Sequence, residues 1–592
     1  MEESNYQLID GKVIIRVRDR ICDSGEELLA SPLFMEILKR CTDELKRHNS
    51  SLLNIFEDHN FTHSDLRKLA DTLHYLLRVP ADMVPRLVEG SEHFFANRAL
   101  FNDFIEYLYN YWRNLQRLII CDSEGNRFDK KPYRTFNNTV EQLTNVVRST
   151  YRDLQENITG LHPRIYRQVR AGAEIATIAL PRDVVYPEDI YNNYNKLNAI
   201  PIIRQVLTYP PLIFNPPMNK RSGVFERVDV NPLDQVELRR NKWLCYPAKV
   251  GDLIIMVYFN LRYFDLGFSL ANLFELADDD DLKRKPDAVF LFGVPALIQA
   301  SPNNNQTIFF DDVENDMLVG TVPDKPEYGY FGYLKKMILT LHNIKMMKRN
   351  RMPFHGAMVH LAIKGRGNAN ILIMGDTGAG KSETLEALRN LAGDDVEDQT
   401  TIADDMGSLE ITADGKIVGY GSEIGAFIRL DDLNPGYAFG QIDRTIIMSP
   451  AETNARVVLP VTTFDTINRG YPVDFVLYAN NYEAVDEKNP VIERFENAEI
   501  ALQVFREGAV MSKGTTTNTG KVSTYFANVF GPEQYQEMHE AIASRFFHAF
   551  YERNVYVGQM RTQLGINGCE QSGPEQAARM LLKLVGSSKQ RD

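Results

Sequence analysis

A short apolar run, Asn370-Ile-Leu-Ile-Met374, leads directly into Gly375-Asp-Thr-Gly-Ala-Gly-Lys-Ser382, after which Leu385, Leu388 and Leu391 recur at helical spacing. Strand, glycine loop and helix in this order satisfy GxxxxGK[ST] in the context that gives the pattern a mechanism. Glycines at 375, 378 and 380 let successive backbone N–H groups converge on phosphate oxygens, and the helix N-terminus behind them adds a favourable dipole. Gly375, Asp376, Thr377, Gly378, Ala379 and Gly380 are therefore expected to cradle a nucleotide. Lys381 is expected to reach its β/γ phosphates, and Ser382 to hold Mg²⁺. A loop of this kind belongs at the carboxyl end of a strand, so this part of the chain is constrained to an α/β fold.

The rest of the 592 residues must be organised around that segment. With 66 Lys and Arg against 79 Asp and Glu, the net charge is −13, which argues against a broad nucleic-acid-binding surface and against a polybasic membrane anchor. The five cysteines are far apart and form no CxxC, so neither a disulfide framework nor a zinc knuckle is expected. The N-terminal stretch has no apolar core of signal-peptide length, and a cytoplasmic location is the expectation.

Three regions are read from pattern. Residues 1–160 are expected to be mostly helical. Ser31 and Pro32 open a helix carrying Leu33, Ile37, Leu38, Cys41 and Leu45, a second begins near Thr62, and a third, aromatic-rich helical region spans Phe94 to Leu118. Residues 161–327 alternate short apolar runs, such as Leu253–Phe259 and Ala288–Leu291, with Pro- and Asn-rich turns, as a mixed α/β domain does. Residues 328–592 form the phosphate-loop domain.

A phosphoryl-transfer site also needs a carboxylate at a strand end to hold its metal. Asp394 and Asp395 follow the helix in a polar stretch and read as surface loop. Asp404 and Asp405 follow the β-branched run Thr400–Ala403 and precede a hairpin that turns at Ala413–Gly415, and they are the better pair.

His355-Gly-Ala-Met-Val, the phosphate loop extended through Glu383 and Thr384, and Ile402-Ala-Asp-Asp405 together resemble the HPr kinase/phosphorylase family, which shares its nucleotide fold with the phosphoenolpyruvate carboxykinases. Three further pieces point to the carboxykinase branch. Tyr330-Phe-Gly-Tyr-Leu-Lys335-Lys336 is similar to that family's segment with a tyrosine and a lysine pair. Asn454-Ala-Arg456-Val-Val-Leu-Pro460 resembles its arginine segment, and Phe505–Phe530 resembles the stretch that closes the nucleotide site. The resemblance covers about residues 328–584. It implies a phosphoenolpyruvate carboxykinase-like C-terminal domain using ATP or GTP, Mg²⁺ and Mn²⁺, and acting on a substrate of the oxaloacetate/phosphoenolpyruvate class.

By the same resemblance Glu383 joins the nucleotide-binding residues, and Lys336, His355 and Asp405 form a metal site. Lys335, Lys381 and Arg456 surround the transferring phosphoryl group, and in a kinase of the HPr kinase type Asp404 or Asp405 would be the base. Tyr330, or Tyr328, lies near the enolpyruvate. Glu423–Arg429 lacks the lysine that ATP-type carboxykinases carry after the hairpin, and Arg429 is the nearest charge. Arg227 is the best candidate for the carboxylate-binding arginine, and Arg561 for a nucleotide-binding one. Two other functions stay open: an HPr kinase-like kinase acting on a protein or small-molecule hydroxyl, and a nucleotide-sensing regulator. The helical N-terminal region offers a surface for a protein partner or an oligomer contact.

Overall fold

Ser31 caps the helix Pro32–Arg47 by accepting from the Phe34 amide, and Thr62 with Asp65 forms a reciprocal capping box at the head of His63–Leu76. Both helices begin where the sequence places them. The computed structural model describes residues 5–17, 20–58, 61–122, 131–162, 164–181, 184–187, 194–221, 224–295, 306–365, 367–392, 396–430, 440–513 and 519–588. Asp394 and Asp395 lie outside the described residues. The chain forms two units: Met1–Arg182 with Pro201–Tyr209, and Asp183–Ile200 with Pro210–Asp592.

The first unit packs the two capped helices and Arg98–Asn114 around a core that includes Leu38, Leu69, Leu73, Phe101 and Phe104. It is not purely helical. Five strands form a mixed sheet in the order Tyr6–Ile9, Lys12–Val17, Gln116–Asp122, Ile175–Leu180 and Ile202–Thr208. The inner pairings are parallel and the outer ones antiparallel. Leu118, expected at the end of a third helix, lies in this sheet instead. The helix stops at Asn114, and the run Leu118-Ile-Ile-Cys121 is fully buried, as the inner strand of a parallel sheet should be. The long helix Lys131–Thr159 covers a second core with Phe136, Val140 and Leu143 against Ile119 and Ile178.

The second unit joins the residues expected in the middle and C-terminal regions. One sheet runs Trp243–Val250, Leu253–Asn260, Ala288–Val294, Met317–Pro323, Ile308–Asp312 and Glu226–Val228. Another centres on Met352–Ile363, Gly367–Met374, Phe475–Asn480 and Tyr556–Arg561, the last three parallel. The helix Phe331–Lys348 packs on strands of both sheets. All its residues from Phe331 to Met347 are buried except Lys336, as a helix enclosed on every side requires. A third, small sheet pairs Gly425–Arg429 with Arg456–Pro460, then Ile446–Met448 and Leu212–Phe214. Among the described residues no helix is long and apolar enough to cross a membrane.

The capping box yields a direct test. Thr62→Ala should lower the stability of the first unit by about 1 kcal/mol, read from urea unfolding followed by Trp112 fluorescence.

Candidate functional site

The phosphate loop leaves the carboxyl end of Gly367–Met374, next to the carboxyl ends of the two parallel neighbours. That is where ligands bind in sheets of this kind. Gly378 and Gly380 have φ of 79° and 91°, which side chains other than hydrogen rarely tolerate. A Cβ at Gly380 would also lie 2.5 Å from Thr562 Oγ1. Two residues with no motif of their own hold the loop. Asn481 Nδ2 donates to Gly378 O at 2.9 Å, and Thr562 Oγ1 donates to Ala379 O at 2.7 Å. They directly follow the neighbouring strands, so their side chains arrive with the sheet. Lys381, 7% exposed, heads the helix Lys381–Ala392 and donates to Gly375 O and Asp376 O at 2.5 and 3.1 Å. Burial lowers its pKa. Ser382 is exposed at the helix start, Thr377 N donates to the Asp376 carboxylate, and Glu383 lies in the first turn.

The carboxylate pair is placed by a change of pairing partner. The strand Met352–Ile363 pairs through His355 with Met406 of Met406–Ile411, and from Met358 onward with Ala403 of Val396–Ala403. Asp404 and Asp405 are the two residues between those partner strands. Asp405 O accepts from Gly356 N at 2.9 Å, and His355 O accepts from Gly375 N at 3.2 Å. Thus Asp405, His355 and the start of the phosphate loop are locked together through the backbone.

Side chains then converge on Asp405. Its Oδ2 accepts from Lys335 Nζ at 2.6 Å, and its Oδ1 lies 3.0 Å from His355 Nε2. Lys335 is 1% exposed and also lies 3.3 Å from Glu423 Oε1. Burial works against the Lys335 charge, but Asp405 and Glu423 overcome it and raise its pKa. Burial likewise opposes ionisation of Asp405, yet the Lys335 charge and the His355 hydrogen bond hold it well below the usual carboxylate range. Asp404 is pushed up to about 6 by burial and by Asp405 beside it. Glu423, 1% exposed and with neither oxygen hydrogen-bonded, is pushed up to about 8, chiefly by burial. Asp404 and Asp405 thus feel two buried ammonium groups, Lys335 and Lys381, while Glu423 adjoins Lys335.

Lys336 emerges one residue on. Its amine stands over the Phe530 ring at 4.8 Å, and the same ring lies 5.9 Å from the His355 ring. Burial and the Arg221 charge lower the Lys336 pKa to about 8, so a neutral amine is accessible near neutrality. His355 Nδ1 faces Ala527 O, an acceptor only, so this nitrogen carries the ring proton. Nε2 then meets a carboxylate oxygen, and either a second ring proton or a cation must lie between them. Among the described residues no three His, Cys, Asp or Glu side chains gather as a metal site. The set here needs the Lys336 amine as its third donor, and the His355 tautomer, which turns Nε2 to Asp405, suits a divalent ion.

On the other side of Lys335, Phe427 acts as a platform. Its ring lies 5.0 Å from Phe331 and 6.0 Å from Tyr330, and the Arg456 guanidinium stands over it at 5.5 Å. Tyr330, 6% exposed, has its pKa raised by burial, against the nearby charges of Arg456, Lys335 and Arg221 and a hydrogen bond with Asn454. Tyr328 instead packs edge-on against Tyr333. Arg429 lies directly opposite Arg456 in the strand register.

Two of the expected arginines are elsewhere. Arg227 is exposed, stands over the Tyr535 ring, and gives its amide to Gln534. Arg221, six residues earlier, is the arginine whose charge acts on both Lys336 and Tyr330. Its sequence surroundings, Asn219-Lys-Arg-Ser222, carry no pattern that would have singled it out. Arg561 is 3% exposed and is held by Glu483 and Glu493 at 2.9 and 2.8 Å, so it braces the sheet edge rather than facing a nucleotide. Also unforeseen is the run Phe526, Ala527 and Asn528, all at φ of 45–64°. Such conformations cost roughly 1–2 kcal/mol each, and here the bend delivers Ala527 O to His355.

No known family model matches this chain, and no curated protein matches it in sequence.

Glu423 makes stability depend on pH. Its pKa is raised from 4.5 to about 8, so the folded state holds its proton longer. The contribution is fully present below about 4.5 and is lost as pH rises towards about 8. Glu423→Gln should flatten this part of the stability profile, measured by denaturant unfolding across that range. An unchanged slope would show that Glu423 does not titrate there.

Proposed function

We propose that this chain is a phosphoenolpyruvate carboxykinase-like enzyme, which decarboxylates oxaloacetate and phosphorylates the resulting enolate from ATP or GTP. The observation that carries the reading is the convergence of Lys335, Lys336, His355 and Asp405 around one short inter-strand connection, beside a complete phosphate loop. An enolate needs cationic stabilisation, and this site is built from cations and metal-binding groups.

In this reading Lys381 binds the β/γ phosphates and Ser382 holds the nucleotide's Mg²⁺. Lys336, His355 and Asp405 would hold Mn²⁺, which supplies Lewis-acid stabilisation of substrate oxygens. Imidazole, amine and carboxylate suit Mn²⁺ better than Ca²⁺. Lys335 fixes Asp405 as an anion and orients it. Arg456, with Arg429 opposite, brings a planar cation to the transferring phosphoryl group. Tyr330 and Arg221 border the substrate side, where Arg221 takes the carboxylate role expected of Arg227.

A second reading, an HPr kinase-like kinase, is favoured by Asp404. Among the described residues this carboxylate makes no ion pair, and it would be available as a base towards an acceptor hydroxyl.

Incubation with oxaloacetate, Mn²⁺, and ATP, GTP or inorganic pyrophosphate in turn separates the two. Phosphoenolpyruvate should accumulate with one donor. Phosphate transfer or hydrolysis without oxaloacetate consumption by any donor would remove the carboxykinase reading and leave the kinase. Lys381→Ala should weaken nucleotide binding by about 1.5–3 kcal/mol in calorimetry. His355→Ala should abolish stimulation by Mn²⁺ while nucleotide affinity holds; an unaltered Mn²⁺ response would make His355 purely structural. Arg456→Lys should reduce turnover far more than nucleotide binding, because its contact strengthens in the transition state.

A further inference from the structure

The second unit contains a pocket of about 380 Å³ that no part of the proposed chemistry uses. Gly251, His342, Met346, Ser408, Tyr420 and Phe464 line it, and none of Lys336, His355 and Asp405 does. His342 lies six residues beyond Lys336 on the helix Phe331–Lys348, about 9 Å along its axis. The pocket and the candidate metal ligands therefore draw on different parts of that helix. Its size falls in the range of small-molecule sites.

Two polar groups open on the pocket without a partner. His342 is 1% exposed, and its Nδ1 lies 3.0 Å from Asn343 Oδ1. Asn343 Nδ2 donates to Phe530 O at 3.0 Å, which turns the amide oxygen to the ring. Nδ1 therefore carries the ring proton, and burial, which lowers the His342 pKa, keeps the ring neutral. Nε2 is left as an acceptor with no hydrogen bond among the described residues. A Cβ at residue 251 would lie 3.2 Å from it, so Gly251, at φ of 56°, leaves open the space beside Nε2. Ser408, 2% exposed on the strand Met406–Ile411, likewise has no side-chain hydrogen bond among the described residues. Both atoms retain accessible surface, which the pocket provides.

The charges at the pocket are matched among themselves. Asp252 is paired with Arg349 and Arg351 at 3.1 and 3.4 Å. Arg351 also holds Glu410 at 2.6 Å and stands over the Tyr420 ring at 5.0 Å. Lys249, over the Phe464 ring at 3.9 Å, is paired with Asp281 at 3.1 Å. An ionised ligand would have to break one of these pairs, whereas an uncharged one need not.

We propose that this pocket binds a small uncharged aromatic molecule bearing a hydroxyl group. The hydroxyl donates to His342 Nε2, Ser408 offers a second hydrogen bond, and the ring leaves water for the surfaces of Met346, Tyr420 and Phe464. An unpaired buried acceptor is unfavourable, and one O–H satisfies it without bringing in charge. A flat, rigid ring also gives up little conformational freedom on binding.

Full-length protein titrated with 2-naphthol in a calorimeter should show saturable binding. Naphthalene, the same ring system without the hydroxyl, should bind at least about tenfold more weakly. So should 6-hydroxy-2-naphthoate, which adds a carboxylate that no unpaired cation meets. His342→Asn removes Nε2 but keeps an amide N–H for Asn343, and should weaken 2-naphthol by about tenfold while naphthalene changes by less than about threefold. Ser408→Ala removes a hydroxyl with no partner in the protein, so it keeps the comparison valid if His342→Asn fails to fold; it should weaken 2-naphthol by about threefold or more. Absence of saturable 2-naphthol binding overturns the site. Equal affinity for 2-naphthol and naphthalene overturns recognition of a hydroxyl, and affinity for the naphthoate equal to or above that for 2-naphthol overturns an uncharged ligand. Binding of 2-naphthol unchanged by both variants lies elsewhere on the protein and overturns the assignment to this pocket.

Discussion

The ion pair between Lys335 and Asp405 organises the second unit. Lys335 is 1% exposed on a helix enclosed by two sheets, and a charge in that position is tolerated only if it is paired. Asp405 supplies the pair, but Asp405 is fixed by a backbone hydrogen bond to the strand that carries His355. The helix, the His355 strand and the connection between two sheet strands are therefore held in one register by a single electrostatic requirement. Removing Asp405 would leave the Lys335 ammonium with Glu423 as its remaining carboxyl neighbour, and removing Lys335 would leave Asp405 with His355.

Aromatic rings and a strained bend arrange the rest. Phe427 lies near Lys335, Arg456 and Tyr330, while the Phe530 ring lies 4.8 Å from the Lys336 amine and 5.9 Å from the His355 ring. Ring faces attract cations without neutralising them, so the Arg456 guanidinium over Phe427 keeps its charge available for oxygen atoms. The left-handed run at 526–528 brings a backbone carbonyl to His355 and fixes which ring nitrogen faces Asp405. Strain of this kind persists only where surrounding structure over-determines it, and here the surroundings are the candidate metal ligands.

The electrostatic balance separates the parts of the site. Around Asp405, burial raises Asp404 to about 6 and Glu423 to about 8, so Glu423 holds its proton at neutral pH while Lys335 and Lys381 stand against Asp404 and Asp405. A few ångströms along the helix, Arg221 and the buried surroundings lower the Lys336 pKa. Arg456 and Arg429 sit opposite one another in register on the small sheet.

Local features of this chain were decided by local sequence. The caps at Ser31 and Thr62, the strand–loop–helix around Lys381, and the hairpin after Asp405 each depend on residues within a few positions of one another, so pattern and turn chemistry suffice to find them. The resemblance that linked Lys335, Lys336, His355 and Asp405 named residues that fold together, because those segments flank the phosphate loop in the chain. Long-range features were not legible. The first unit's sheet takes Ile175–Leu180, parallel to Gln116–Asp122, and Ile202–Thr208, antiparallel to Ile175–Leu180, from beyond the region read as helical, since pairing between strands far apart in the chain leaves no local trace. Arg221 rather than Arg227 faces the site, Arg561 is taken by Glu483 and Glu493, and Asn481 and Thr562 hold the loop. Sequence alone determined which short segments bend, extend or coil, because backbone preference and hydrophobic period act over neighbouring residues. Tertiary structure alone decided which distant charges share a pocket, because burial and ion pairing are set by whatever the fold brings within a few ångströms.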